Sequence, residues 1–137
     1  MKFKQLNGQE KYKNISDRKI VWEKPSRSKI QFTVKQFLKK YWTYDLVFEE
    51  MPVLGTKMTL DLVNYTQKVA IEVHGRQHVQ FVKHFHGNKN NFRRQLNRDS
   101  LKQEWCELNG FHYVDIYPED INDLSRTWFK EKFDISM

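Results

Sequence analysis

Ionisable side chains interrupt a run of β-forming residues in the stretch Val69-Ala70-Ile71-Glu72-Val73-His74-Gly75-Arg76-Gln77-His78. The part from Val69 to Val73 is typical of a buried strand. Because side chains alternate along a strand, Glu72 and His74 are expected on one face, roughly 6.5 Å apart at about 3.3 Å per residue. Burying a carboxylate is unfavourable unless it is paired or binds a metal ion. Glu72 is therefore the first candidate functional residue of the chain.

The composition indicates one folded domain. The chain has 137 residues, of which 39% are apolar and 15% are aromatic, enough for a single hydrophobic core. We expect no membrane span, since no apolar run approaches about 20 residues, and no secretory signal peptide. The single cysteine, Cys106, excludes an intrachain disulfide and a multi-cysteine zinc site. A cytoplasmic protein is the expectation.

The basic residues are concentrated in two segments. The formal net charge is +7, and residues 1–40 hold 12 Lys and Arg against 3 Asp and Glu. Residues 76–102 hold seven basic residues and one acid, Asp99. This distribution predicts a polyanionic partner, most simply DNA, although lysines that only keep the surface soluble are the alternative. The candidate DNA-contacting residues are Arg76, Arg93, Arg94, Arg98 and Lys102.

Residues 1–24 show no sustained periodicity and are predicted to form a basic N-terminal arm, followed by a single domain over residues 25–137. Ser28 and Gln31 fit a capping box that opens a helix. The apolar stripe of this helix is Ile30, Val34, Phe37, Leu38 and Tyr41, which is typical of packing on a sheet. Its lysines, including Lys35, are predicted to form a solvated face.

Three strands are predicted at Leu46–Val53, Met58–Val63 and Lys68–His74, and their short connections favour antiparallel pairing. In the second strand, alternation predicts Met58, Leu60 and Leu62 on one face and Thr59, Asp61 and Val63 on the other. A helix over residues 92–109, with Phe92, Leu96, Leu101, Trp105 and Leu108 facing inward, is expected to end at Gly110. A fourth strand at Phe111–Tyr117 and a last helix from Pro118 follow. The order α-β-β-β-α-β-α predicts an α/β fold with a mixed sheet, in which the third and fourth strands are parallel.

Asp61 is a second acid within an apolar strand, and neighbouring strands lie about 4.8 Å apart, so its carboxylate and that of Glu72 are candidates to meet. Two carboxylates suit Mg²⁺, which prefers oxygen ligands and keeps several waters. The backbone carbonyl of Val73 is a candidate third ligand. His74 is a candidate general base, and Gln77 and His78 are close enough in sequence to help orient the attacking water.

The spacing of Asp61 from Glu72-Val73-His74 resembles the signature of the PD-(D/E)xK nuclease superfamily, with His74 in the position of the motif lysine. The tail His74–His78, with Arg98-Asp99, Trp105 and Asn109-Gly110, resembles the branch that contains very-short-patch-repair endonucleases. The resemblance extends from about Ile30 to Ile116. It implies a three-layer α/β/α restriction-endonuclease-like core in which Asp61 and Glu72 bind Mg²⁺, replaceable by Mn²⁺. It also implies an endonuclease that hydrolyses phosphodiester bonds in DNA.

The sequence departs from the superfamily pattern at three points. Leu60, not proline, precedes Asp61; the motif lysine is absent; and the first helix has Gln31 where many members have a glutamate. Glu49 and Glu50 of the first strand are candidate substitutes, and strand alternation requires one of them to face each side of the sheet.

Other interpretations remain open at this stage. One is a DNA-binding module that keeps the nuclease fold and has lost catalysis. Another is a ββα-type nuclease that binds metal through His74 and His78. A zinc site formed by His78, His84 and His86 is a third, and a homodimer would suit cleavage of both strands.

Overall fold

A four-stranded mixed sheet forms the centre of the molecule. The computed structural model describes residues 1–75 and 89–137, with the side chains of residues 89–96 left undescribed. The sheet has the order β3-β4-β5-β6, with strands β3 (Val47–Pro52), β4 (Thr59–Asn64), β5 (Val69–Val73) and β6 (His112–Ile116). β3, β4 and β5 pair antiparallel, and β5 pairs parallel with β6. The predicted α/β class and mixed sheet are confirmed.

The first helix, α1 (Lys29–Trp42), begins where the sequence predicts. Ser28 is its N-cap, and the Ser28 hydroxyl accepts a hydrogen bond from the Gln31 N–H, which satisfies one of the free amides of the first turn. Val34, Leu38 and Trp42 are fully buried. The prediction that the lysines of this helix are all solvated is wrong for Lys35, which is also fully buried.

Helices lie on both faces of the sheet. Side chains of α1 and of α3 (Arg126–Phe133) share one apolar cluster with Val47, Leu62, Val69, Ile71, Val114 and Ile116. Trp105 and Cys106 of α2 (Lys89–Leu108) share the other cluster with Phe48, Met51, Leu60, Val63 and Ala70. In β5 the alternation follows the prediction, since Ala70 faces the opposite side from Val69 and Ile71.

Alternation breaks in the middle of β3 and β4. Phe48 and Met51 lie in the same cluster although they are three residues apart, and so do Leu60 and Val63. The prediction that Leu62 shares a face with Leu60 is therefore wrong. The irregularity is centred on Glu50, which faces Asp61.

Glu50 has a φ of 54°, a left-handed conformation that is unusual for a residue other than glycine and that turns the following side chain to the other face. The pairs Glu49–Leu62 and Met51–Leu60 place Glu50 opposite Asp61. The irregularity of the sheet is thus centred on two acids.

The segment predicted to be an arm is folded onto the domain. Strands β1 (Lys2–Lys4) and β2 (Glu10–Tyr12) form an antiparallel hairpin, and a 3-10 helix follows at Ser16–Arg18. Phe3 and Ile15 are buried in the α2-side cluster. Beyond the 3-10 helix, the Ile20 N–H donates to the Val47 carbonyl at 2.9 Å, so this segment covers part of the edge of β3.

The C-terminal third differs from prediction in two details. Leu108 is exposed rather than inward-facing because α2 ends at that residue and Cys106 takes the inward position; Gly110 follows with the expected positive φ of 76°. The single final helix is in fact a 3-10 helix, Pro118–Asp123, followed by α3. The Ser125 hydroxyl accepts from the Trp128 N–H and starts α3 as a separate helix. Among the described residues, no helix is long and apolar enough to cross a membrane.

Candidate active site

Asp61 and Glu72 meet where β4 and β5 separate. The last regular pair toward this end is Leu62 with Ile71. Beyond it, side chains replace the backbone ladder: the Asp61 N–H donates to Glu72 Oε1 at 3.0 Å, and the Val73 N–H donates to Asp61 Oδ2 at 2.8 Å. The predicted proximity of the two carboxylates is therefore present, and each one holds the strand that carries the other.

Both carboxyl groups are buried, with 2% of Asp61 and 5% of Glu72 exposed. Burial and then the negative charge of Asp61 raise the pKa of Glu72 to about 7, against the opposing effect of Lys102. Burial also raises the pKa of Asp61, more than the Val73 hydrogen bond lowers it. The site thus holds two acids that ionise at a cost, and bound positive charge would lower that cost.

Two cations from different elements reach these acids. Lys102 of α2 places Nζ 3.0 Å from Glu72 Oε2, and only 13% of its side chain is exposed. Arg27, just before α1, places Nη2 3.0 Å from Asp61 Oδ1 and Nη1 3.6 Å from Glu50 Oε2. The sequence assigned Lys102 to DNA phosphate contacts; the structure places it inside the acidic site.

Glu49 and Glu50 lie on the same side of the sheet. Gln31 of α1 donates from Nε2 to Glu49 Oε2 at 3.0 Å and to Glu50 Oε1 at 3.1 Å. The prediction that the two glutamates face opposite sides is wrong, because the positive φ of Glu50 breaks the alternation. Thr59 also donates its hydroxyl proton to Glu50 Oε2 at 3.0 Å. Glu50 consequently lies beside Asp61 at the edge of the site.

His74, just after β5, is held by β6. Its Nε2 lies 2.6 Å from Asp115 Oδ1, and its ring stacks on Tyr117 at 4.6 Å between centroids. Burial lowers the pKa of His74, but the Asp115 hydrogen bond and the charges of Asp115, Asp99 and Glu72 outweigh it, so the net pKa is raised. The imidazole is thereby biased toward its charged form.

The remaining predicted residues divide by position. Val73 lies between Glu72 and His74, with its N–H bound to Asp61, and Arg98 is exposed on α2. Arg76, Gln77 and His78 lie outside the described residues, as do the side chains of Arg93 and Arg94.

Sequence reasoning missed three residues of the site: Arg27, Asp115 and Tyr117. Asp115 carried a usable signal, since it is an acid within an apolar strand, as Asp61 and Glu72 are. Parallel pairing places it beside Glu72. Arg27 carried no such signal because it belongs to a polar turn.

The number of carboxylates at the site fits Mg²⁺. Among residues 1–75 and the described side chains of α2 and beyond, no three His, Cys, Asp or Glu side chains are arranged to hold one metal ion. Mg²⁺ is commonly held by one or two carboxylates together with waters and substrate phosphate. Asp61 and Glu72 supply that number of carboxylates, and because burial raises the pKa of both, a bound cation would favour their ionised forms.

Comparison with known proteins identifies relatives without an assigned activity. The chain is 34% identical over 67 residues to uncharacterized protein 307L of Invertebrate iridescent virus 6, covering 49% of this chain and 34% of that protein. It is 32% identical over 78 residues to uncharacterized protein 033L of Invertebrate iridescent virus 3, covering 56% and 40%. It is also 34% identical over 74 residues to uncharacterized protein 094L of Frog virus 3, covering 53% and 47%. The chain therefore spans less than half the length of these relatives. No protein-family model matches the chain, and no solved structure matches it significantly.

Proposed function

We propose that the protein is a Mg²⁺-dependent endonuclease that hydrolyses phosphodiester bonds in DNA, with a restriction-endonuclease-like arrangement of its layers. The observation that carries the proposal is the reciprocal bonding of Asp61 and Glu72 at the point where β4 and β5 separate. Helices on both faces of a mixed sheet agree with the proposed layering.

Asp61 and Glu72 would hold the metal ion, with the carbonyl of Val73 as a further oxygen ligand. When bound, Mg²⁺ would neutralise negative charge on the phosphate and lower the pKa of the attacking water. Mn²⁺ is expected to substitute, since it also accepts carboxylate, carbonyl and water ligands.

Lys102 would supply the ammonium group of the motif lysine, which is absent at position 74. Its ammonium lies 3.0 Å from Glu72 Oε2, so it can orient Glu72 and donate to a water or phosphate oxygen beside that carboxylate. This contact comes from a helix rather than from the strand that bears the motif.

His74 fits the role of general acid better than that of general base. The Asp115 bond fixes the ring, and the raised pKa of His74 favours the protonated imidazole. A protonated histidine can give its proton to the departing oxygen when the phosphodiester bond breaks. The basic residues near the site, including exposed Arg98, would hold the DNA backbone.

Nicking of supercoiled plasmid DNA tests the proposal. With Mg²⁺ or Mn²⁺, Asp61→Asn and Glu72→Gln should each reduce the nicking rate at least ~100-fold. The reason is that a metal ion stabilises the charge of the transition state by several kcal/mol. Both replacements keep an oxygen that can accept the observed backbone hydrogen bonds, so the fold should persist. Asp123→Asn, which removes an exposed carboxylate from the second 3-10 helix, is the matched control.

Undiminished nicking by purified Asp61→Asn and Glu72→Gln proteins would refute the assignment. Salt-sensitive DNA binding without cutting under either metal would instead support the inactive DNA-binding module. Circular dichroism on each variant separates loss of activity from loss of folding.

A further inference from the structure

Arg27 occupies the side of the acidic site that faces α1. Its guanidinium spans two carboxylates on neighbouring strands, with Nη2 3.0 Å from Asp61 Oδ1 and Nη1 3.6 Å from Glu50 Oε2. A guanidinium with two such contacts acts as a counter-ion for both acids.

Arg27 is held much less firmly than the carboxylates it contacts. Its side chain is 64% exposed, whereas that of Asp61 is 2% exposed. It precedes the N-cap of α1 and follows Pro25 and Ser26 in a segment without regular secondary structure. Only the Arg27 end of this ion pair is exposed, so the guanidinium regains water when it leaves, and an incoming cation would neutralise the buried Asp61 carboxylate in its place.

We propose that Arg27 is a phosphate-binding residue that rests on Asp61 and Glu50 until a divalent cation displaces it. A guanidinium and a metal ion cannot neutralise the same Asp61 oxygen at once, so they compete. Once displaced, Arg27 lies beside the metal and can bind a DNA phosphate through two parallel hydrogen bonds. Cation binding thus makes a phosphate ligand available at the place of reaction.

This inference rests on the proposed nuclease function, and it makes a separate claim about metal affinity. Removing a competing cation strengthens binding of the other one. Arg27→Gln should therefore bind Mn²⁺ ~2–5-fold more tightly than the unmodified protein, the scale of an ion pair with one exposed partner.

Isothermal titration of Mn²⁺ measures this effect without any cleavage assay. Arg126→Gln is the matched control, since it removes the same charge from exposed Arg126 on α3, whose Nε donates to the Met137 carbonyl. Tighter binding by Arg27→Gln, and not by Arg126→Gln, supports competition. Unchanged or weaker Mn²⁺ binding by Arg27→Gln overturns it.

DNA affinity tests the second half of the inference. With Ca²⁺, which also takes carboxylate oxygens, Arg27→Gln should bind a short labelled duplex ~3–10-fold more weakly than Arg126→Gln. In EDTA the two variants should agree within ~2-fold, because Arg27 then rests on the carboxylates. An equal loss in both conditions overturns the coupling of phosphate binding to the cation.

Asp61→Asn separates this inference from the nuclease assignment. If Asp61→Asn abolishes Mn²⁺ binding while Arg27→Gln leaves it unchanged, the Arg27 inference fails and the metal site stands. If Arg27→Gln tightens Mn²⁺ binding in a protein that does not cut DNA, the competition stands and the nuclease assignment fails. If neither the unmodified protein nor Arg27→Gln binds Mn²⁺, both the Arg27 inference and the nuclease assignment fail.

Discussion

Two lysine–glutamate pairs connect helices to the sheet, and they differ in how completely their hydrogen bonds are satisfied. Lys35 of α1 lies 2.8 Å from Glu49, and Lys102 of α2 lies 3.0 Å from Glu72. In the first pair, Lys35 Nζ also donates to the Lys24 carbonyl, and Glu49 also accepts from Ser26 and Gln31. Both members of that pair therefore have hydrogen-bond partners beyond each other, as a buried ion pair needs.

The second pair shares its surroundings with another acid. Glu72 accepts from Lys102 and from the Asp61 N–H, while the Asp61 carboxylate helps to raise the pKa of Glu72 to about 7. Burial is similar in the two pairs, so burial alone does not distinguish a structural ion pair from one in a functional site. Glu49 also has a carboxylate beside it, Glu50, but the Gln31 amide donates to both of them. Between Glu72 and Asp61 the like charge instead helps to raise the pKa of Glu72, which leaves a demand for positive charge that a metal ion or substrate-bound cation can meet.

The largest effect on stability is expected from breaking the satisfied pair. Lys35→Met should lower the free energy of unfolding by about 3 kcal/mol or more, because Glu49 loses its buried cation. Urea denaturation at neutral pH measures the change. Lys39→Met is the control on the same helix: Lys39 pairs with exposed Glu23 at 3.2 Å, and its loss should cost less than ~1 kcal/mol. Equal effects of the two replacements would contradict the distinction.

A slightly smaller effect is expected from the second pair, through the pH dependence of stability that Glu72 causes. Because the pKa of Glu72 rises from 4.5 to about 7 on folding, the folded state binds the proton more tightly, and stability falls as pH rises across that interval. Glu72→Gln removes this loss, so in EDTA its stability relative to the unmodified protein should increase by roughly 3 kcal/mol between pH 4.5 and pH 7.5. If urea denaturation gives the same stability difference between Glu72→Gln and the unmodified protein at both pH values, the raised pKa of Glu72 is contradicted.

The parts of the fold that follow from local rules were predictable. Ser28 at the start of α1, Gly110 after α2 and the parallel pairing of β5 with β6 depend on capping, on positive φ and on short or long connections. The nearness of Asp61 and Glu72 was also accessible, because acids within apolar strands stand out against their neighbours.

The parts that depend on tertiary contacts were not predictable from one sequence. Lysines usually remain in water, and a buried Lys35 is favourable because Glu49 and the Lys24 carbonyl both accept hydrogen bonds from its ammonium. Strand alternation assumes regular backbone angles, and the φ of 54° at Glu50 violates that assumption. The reach of Arg27 and Lys102 to Asp61 and Glu72 spans 34 and 30 residues of chain, a separation at which sequence spacing carries no distance information.

The smallest effect in free energy, and the one that best separates the two pairs, is expected at Lys102. Lys102→Met should reduce plasmid nicking ~100-fold, about 2.7 kcal/mol, yet lower stability by less than ~1 kcal/mol. The cost to stability is small because Glu72, with a pKa already near 7, can take up a proton when the ammonium is removed.

Nicking rates at several pH values measure the activity of the Lys102 variants, and urea denaturation measures their stability. Lys102→Arg should restore part of the activity because it retains the cation, and Lys130→Met, at an exposed pair with Asp134, should leave nicking unchanged. A Lys102→Met protein that loses stability as Lys35→Met does, with full nicking by its folded fraction, would show that both pairs are structural.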